Sequence, residues 1–213
     1  MKPVHIVVIG PPGAGKGTQA MMLADILGIA HVSTGELFRK NISDGSELGM
    51  QVETILSSGR LVSDELTISL VRDRLQHTSC QRGAVLDGFP RTPEQAEALD
   101  DILDKDGNRV DLVPYIRVRD ETIINRLTSR RVDVNTGNIY HVRCNPPPLG
   151  VEVEQRADDI PETVQTRISE YYKNTAPLIE YYTSKGVLQE FDGEQTVEAV
   201  SEQLLAAVEE KVA

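Results

Sequence analysis

The sequence predicts a doubly wound parallel α/β sheet, a single three-layer domain with helices on both faces. Three observations carry that prediction. Short apolar runs alternate with helix-length amphipathic stretches, three of those runs are nearly continuous in apolar residues, and a glycine-rich turn joins the first run to the first helix. Val4–Ile9 reads as a buried strand that stops at Gly10-Pro11-Pro12-Gly13, a turn signal, before a helix over Gly15–Leu27. A weaker strand follows at Ala30–Ser33. Ser63, ahead of Asp64 and Glu65, starts a helix running to Gln76, because acidic residues suit a helix N-terminus. Gly83–Asp87 is the next strand, and Thr92-Pro93-Glu94 opens a helix to Leu103 with Pro at its first position. Leu112–Val118 and Val187–Phe191 complete the strands; Glu121–Arg130, Pro161–Lys185 and Thr196–Lys211 complete the helices.

Two stretches break the alternation. Thr34–Leu61 is helical in character but punctuated by Gly45, Gly49 and Gly59. Val132–Val134 and Ile139–Val142 flank Asn135-Thr136-Gly137-Asn138, a β-hairpin signature. Neither stretch looks able to build a core alone, so both are read as inserts on one domain spanning 1–213.

Composition narrows the function classes. Of 213 residues, 33 are acidic and 22 basic, a net charge of −11, which disfavours nonspecific nucleic-acid binding because that requires many Lys and Arg on phosphates. The two cysteines, Cys80 and Cys144, are far apart, which excludes a disulfide framework and fits a reducing cytoplasm. The early apolar run is far shorter than the roughly 20 residues that span a bilayer, so neither a membrane nor a secretory segment is expected.

Gly10-Pro11-Pro12-Gly13-Ala14-Gly15-Lys16-Gly17-Thr18 carries the chemistry. It fits the P-loop spacing G-x-x-x-x-G-K, with Gly17 where Ser or Thr usually follows the Lys, and it makes the predicted fold P-loop NTPase-like. Backbone N–H groups of such a loop can close on an anion at the positive end of the next helix. Lys16 adds a mobile cation for the outer phosphates, and Thr18 a hydroxyl near Mg²⁺. At the end of the strand Gly83–Asp87, Asp87 would hold the same Mg²⁺ through water. Fifteen of the 22 basic residues are Arg, which binds phosphate bidentately. Arg39, Arg91, Arg126, Arg130, Arg156 and Arg167 fall in or beside the inserts and strand ends.

From Val4 to about Val197 the chain closely resembles the adenylate kinases, nucleoside monophosphate kinases, in their long-lid form. The resemblance rests on Gly10–Thr18, Ser33-Thr34-Gly35-Glu36, Asp87-Gly88-Phe89-Pro90-Arg91-Thr92, Glu94-Gln95, Arg126 with Arg130-Arg131, Tyr140-His141-Val142, Arg156-Ala157-Asp158-Asp159, Glu162-Thr163-Val164 with Arg167, and Thr175-Ala176-Pro177. It implies reversible phosphoryl transfer from ATP to AMP giving two ADP, for adenine nucleotide balance and purine salvage, by a cytoplasmic monomer. Residues 33–62 would form the AMP-binding insert and 129–159 the lid. The resemblance places Gly13, Ala14, Gly15, Lys16, Gly17 and Thr18 on the ATP phosphates, Arg126 and Arg130 on the ATP base and phosphates, Ile139 and Tyr140 against ATP from the lid, and Gln195 as a backbone contact where a basic residue is common. It places Thr34 near the AMP base, Arg39 and Arg91 on the AMP phosphate, and the backbone of Arg60, Leu61 and Val62 along the adenine pocket. Gly88, Phe89 and Pro90 would complete that site, and Gln95 would read the adenine edge. Lys16, Arg91, Arg130, Arg156 and Arg167 would be catalytic, Arg156 and Arg167 also binding AMP as they clamp the transferring group, with Asp158 and Asp159 assisting closure. Many lids bind structural zinc; Asp133, Thr136 and an unmatched Cys144 predict none here, with polar hydrogen bonds in its place. The four histidines lack metal or catalytic spacing and read as packing or surface residues. A UMP/CMP kinase and a non-enzymatic nucleotide switch are the alternatives. Gln95 and the long lid disfavour the first, and a second anion site would disfavour the switch.

Overall fold

The computed structural model describes residues 2–212. In chain order, β1 (Val4–Val8), α1 (Lys16–Leu27) and β2 (Ala30–Ser33) are followed by α2 (Thr34–Ser43), α3 (Glu47–Ser57) and α4 (Asp64–Leu75). Next come β3 (Gly83–Asp87), α5 (Pro93–Asp104), β4 (Val113–Arg117) and α6 (Asp120–Thr128). Then β5 (Arg130–Asp133), β6 (Ile139–His141) and β7 (Val153–Glu154) lead to α7 (Pro161–Glu170), α8 (Pro177–Ser184), β8 (Leu188–Asp192) and α9 (Val197–Val212).

β3 pairs in parallel with β1 on one side and β2 on the other, and β4 pairs in parallel with β8. Val7 N–H to Leu112 O at 3.1 Å and Ile9 N–H to Pro114 O at 2.9 Å join the two groups. The result is one parallel sheet in the order β2-β3-β1-β4-β8, as the alternating pattern predicted. One face packs Ile6, Val8 and Val85 against α1, α6, α7 and α9; the other packs Val7, Ala84 and Leu86 against α4, α5 and α8. Each fully buried Leu, Ile or Val in these layers contributes roughly 1.5–3 kcal/mol. The chain leaves β1 towards β2 in one direction and β3 towards β4 in the other, so the crevice at their carboxyl ends is where ligands of such sheets collect.

Three elements differ from the expectation. Pro161–Lys185 is two helices joined by a π-helical turn at Tyr171–Thr175, with Ala176 N–H reaching back to Tyr171 O at 2.9 Å. Pro177 has no N–H to return to the preceding turn, so the ladder is interrupted there even though Ala176 itself stays helical (φ −56°, ψ −33°). The hairpin strand begins at Arg130 rather than Val132, since Arg130 and Arg131 pair with His141 and Tyr140, and β7 adds to its other edge. The segment between β2 and β3 owns a small cluster, Phe38, Val52 and Val62, against which Leu70 of α4 packs. Inside it α2 and α3 approach so closely that a Cβ at Gly49 would lie 2.1 Å from Asn41 O.

Candidate active site

The loop after β1 wraps the start of α1. Gly13 (φ 78°) and Gly15 (φ 94°) take left-handed conformations that cost glycine least, and Gly15 is the N-cap of α1. The first N–H groups of α1 have no intrahelical partner, so the loop ends in an anion-binding concavity. Lys16 Nζ spans it, donating to Pro11 O at 2.8 Å. Burial pushes the Lys16 pKa down to about 7; Asp87 opposes that shift, and Arg91, Arg167 and Arg130 add to it.

The register sets Val8 and Ser33 level with Asp87, so three strand ends meet beneath the loop. Ser33 Oγ donates to Asp87 Oδ2 at 3.2 Å. A Cβ at Gly17 would lie 3.2 Å from that same oxygen, which accounts for glycine after the lysine. Asp87 therefore faces the cradle directly.

Five of the six arginines singled out in the sequence converge here. Arg130 grips Asp159 bidentately, Nε to Oδ2 at 2.8 Å and Nη2 to Oδ1 at 2.6 Å. Arg167 Nη1 lies 3.1 Å from Asp159 Oδ1 and 2.8 Å from Asp158 Oδ2. Asp159, 0% exposed, thus bridges two guanidiniums. Arg39, Arg91 and Arg156 form no ion pair among the described residues. Each is nonetheless close enough to at least one other arginine of the cluster to have its proton affinity depressed. Burial, then Arg130 and Arg39, lower Arg156 to about 9; Arg91 is lowered by burial and then Arg167, Arg39 by burial and by Arg130. With Lys16, six cations from six segments face four carboxylates, Asp87, Asp158, Asp159 and, beside Arg39, the more exposed Glu36. Such an excess of buried positive charge is stable only with an anion to face.

Beside the cluster, Thr34 Oγ1 donates to Gly88 O at 2.8 Å and Arg91 Nε to the same carbonyl at 2.9 Å. Thr34 is 2% exposed, so its hydroxyl is a brace of this wall as well as a candidate contact. Phe89 and Val62 point into core clusters, leaving their backbone for a ligand; Pro90 is buried, Leu61 half-buried and Arg60 exposed. Gln95 is buried, its amide tied at both ends, to Arg91 N–H and to Asp64.

Arg126 stands apart from the cluster, its Nη2 donating to Gly193 O at 2.8 Å beside Gln195, which is exposed and bonded to Gln203. Ile139 and Tyr140 sit on β6. In the hairpin, Asp133 accepts from Thr136 Oγ1 at 2.6 Å and from the N–H groups of Asn135 and Thr136, which lowers its pKa. Among the described residues no group of three or more His, Cys, Asp or Glu is placed to hold a metal. Among these residues no helix is long and apolar enough to cross a membrane either. His141 Nδ1 accepts from the N–H groups of Arg143 and Cys144, His77 caps a 3₁₀ turn, and His5 is buried in β1.

Sequence reasoning missed the braces: Ser33 on Asp87, Asp64 on Gln95, and Thr175 Oγ1 on Arg91 O at 2.9 Å. Each joins residues far apart in the chain, where no spacing signal exists.

The family model described as "Adenylate kinase" matches residues 8–187. The chain is similar to the adenylate kinase of Lachnospira eligens, 48% identical over 204 residues covering 92% of this chain and 96% of that one. It is likewise 48% identical to that of Moorella thermoacetica, over 92% of this chain and 94% of that one. It is 45% identical to that of Clostridium botulinum strain Eklund 17B, over 94% and 97%.

Proposed function

The chain belongs to the adenylate kinase family and interconverts ATP plus AMP with two ADP; we propose that its six-cation cluster is the groove where the two nucleotides meet, phosphate to phosphate. The observation that carries this reading is the excess of guanidinium charge at the carboxyl ends of β1 and β3. ATP lays its phosphates in Gly13–Thr18, with Lys16 on the outer ones. AMP lies between α2 and α5, its phosphate on Arg39 and Arg91 and its base against Thr34, Gln95 and the backbone of Arg60–Val62, Gly88, Phe89 and Pro90. Arg126 covers the ATP base, Ile139, Tyr140 and the Gln195 backbone flank it, and Arg130 reaches its phosphates.

Members of the family use Mg²⁺ with ATP. Asp87, an oxygen donor facing the cradle, and the Thr18 hydroxyl fit a hard cation, held through water. Bound there, Mg²⁺ neutralises charge on the phosphates. The chain's own residues do the rest. The AMP phosphate oxygen is already a nucleophile, so no protein base is required; it attacks the γ-phosphorus as the bond to the bridging oxygen breaks and ADP departs. Lys16, Arg91, Arg130, Arg156 and Arg167 stabilise the charge in transit, and Asp158 and Asp159 hold Arg130 and Arg167 for that task. Closure of 129–159 as a lid over ATP, and of 33–62 over AMP, excludes water as a competing acceptor. A cytoplasmic monomer suits a groove assembled within one chain.

The test is a pair of variants in a coupled assay of ADP formation. Arg91→Ala raises KM for AMP more than KM for ATP, and Arg126→Ala does the reverse. Equal effects on both substrates in either variant contradict the assignment.

A further inference from the structure

The Gln95 amide is held from both ends. Its Oε1 accepts from the Arg91 backbone N–H at 2.8 Å, and its Nε2 donates to Asp64 Oδ1 at 2.7 Å. Asp64, the first residue of α4, also takes Thr92 Oγ1 on Oδ2 at 3.0 Å, while Thr92 caps α5 by accepting from Gln95 N–H at 3.2 Å. An ionised carboxylate can only accept and a backbone N–H can only donate. Turning the amide over would set oxygen against oxygen at one end and N–H against N–H at the other. Gln95 is 1% exposed, so bulk water does not relieve either clash.

We infer that Asp64 is a positioning residue that fixes the orientation of the Gln95 amide and thereby selects a 6-aminopurine over a 6-oxopurine acceptor. The inference rests on Gln95 meeting the acceptor base, as proposed above. After both ties the amide retains one N–H and one oxygen lone pair, the pair with which glutamine makes a bidentate match to adenine. Adenine offers a donor at C6 beside a ring acceptor, whereas hypoxanthine offers an oxygen at C6 beside an N–H at N1. A freely turning amide serves both bases. A locked one, with Oε1 aimed at the C6 group, pairs with the first and repels the second.

The experiment compares kcat/KM for AMP and for IMP in the wild type, Asp64→Asn and Gln95→Leu, with melting temperatures as a check on folding. Asn at 64 keeps the shape but can donate, so the clash at that end is removed and only the Arg91 N–H still opposes a turned amide. The AMP:IMP ratio then falls about tenfold, equivalent to about 1.4 kcal/mol, while KM for ATP holds. An unchanged ratio in folded Asp64→Asn, with Gln95→Leu still impairing AMP, overturns the lock and leaves the role of Gln95 standing. A parallel loss for AMP and IMP marks a purely structural role and also overturns it. If Gln95→Leu leaves AMP unaffected, the base is read elsewhere and both readings fall. Should Asp64→Asn fold poorly, Asp64→Ser, whose hydroxyl can also donate, carries the same test.

Discussion

ATP binding should take up a proton at Lys16. In the ligand-free site its pKa is about 7, held down by burial and by Arg91, Arg167 and Arg130. At pH 8 a group of that pKa is about nine-tenths neutral, and at pH 6 about nine-tenths charged. A triphosphate in the loop places opposite charge against Nζ and raises the pKa well above 8. Binding at pH 8 therefore takes up about 0.9 proton at this site, falling to about 0.1 at pH 6. The γ-phosphate is already ionised at pH 8, so it contributes little there. The assay is calorimetric titration of a non-hydrolysable ATP analogue in buffers of different ionisation enthalpy, where the slope of observed heat against that enthalpy counts protons. Lys16→Met, which cannot titrate, should show a slope near zero at pH 8. A zero slope in the wild type, or the same slope in both proteins, refutes the reasoning about Lys16.

Asp159→Asn leaves Arg130 and Arg167 without their shared carboxylate. Removing one partner of a buried pair costs roughly 3–5 kcal/mol, and the lower end applies because Arg130 and Arg167 keep 14% and 19% of their side-chain surface exposed. That lowers Tm by about 6–12 °C for a chain of this size; differential scanning calorimetry showing a change under about 2 °C contradicts the bridging role. His5 makes a second stability test. Neither ring nitrogen has a partner among the described residues, and burial, opposed by Asp111, lowers its pKa below 6.5. The unfolded chain then binds the proton more readily, so stability is full above about pH 6.5 and is lost as pH falls below it, until the folded group itself titrates. His5→Leu should flatten this part of the Tm–pH profile, and an equally steep profile removes His5 as its cause.

Local chemistry was legible in the sequence, and long-range geometry was not. The spacing of Gly10, Gly15 and Lys16 after an apolar run is a short-range pattern, and the glycine turn and the helix it opens stand where it predicted. Asp87 was legible for the same reason, as the end of a strand. The arginines could be named but not assembled, since nothing in the chain shows that Arg39 sits close enough to Arg156 to depress its proton affinity, or that Arg126 turns aside to Gly193. Asp158 and Asp159 are neighbours of the same type, yet only the second is buried between two guanidiniums; a 3₁₀ turn at Ala157–Asp159 makes that choice. The split at Tyr171–Thr175 did leave a signal in Pro177, masked by an amphipathic pattern that runs across it. β7 has two residues, too few for any periodicity to register.

The occupancy of the groove tests the central claim most directly. With the enzyme saturated by Mg²⁺ and a non-hydrolysable ATP analogue, calorimetric titration with AMP should show one further nucleotide per chain, with the analogue retained. Displacement of the analogue by AMP, or a total of one nucleotide per chain, contradicts a site in which guanidiniums hold two phosphate chains together.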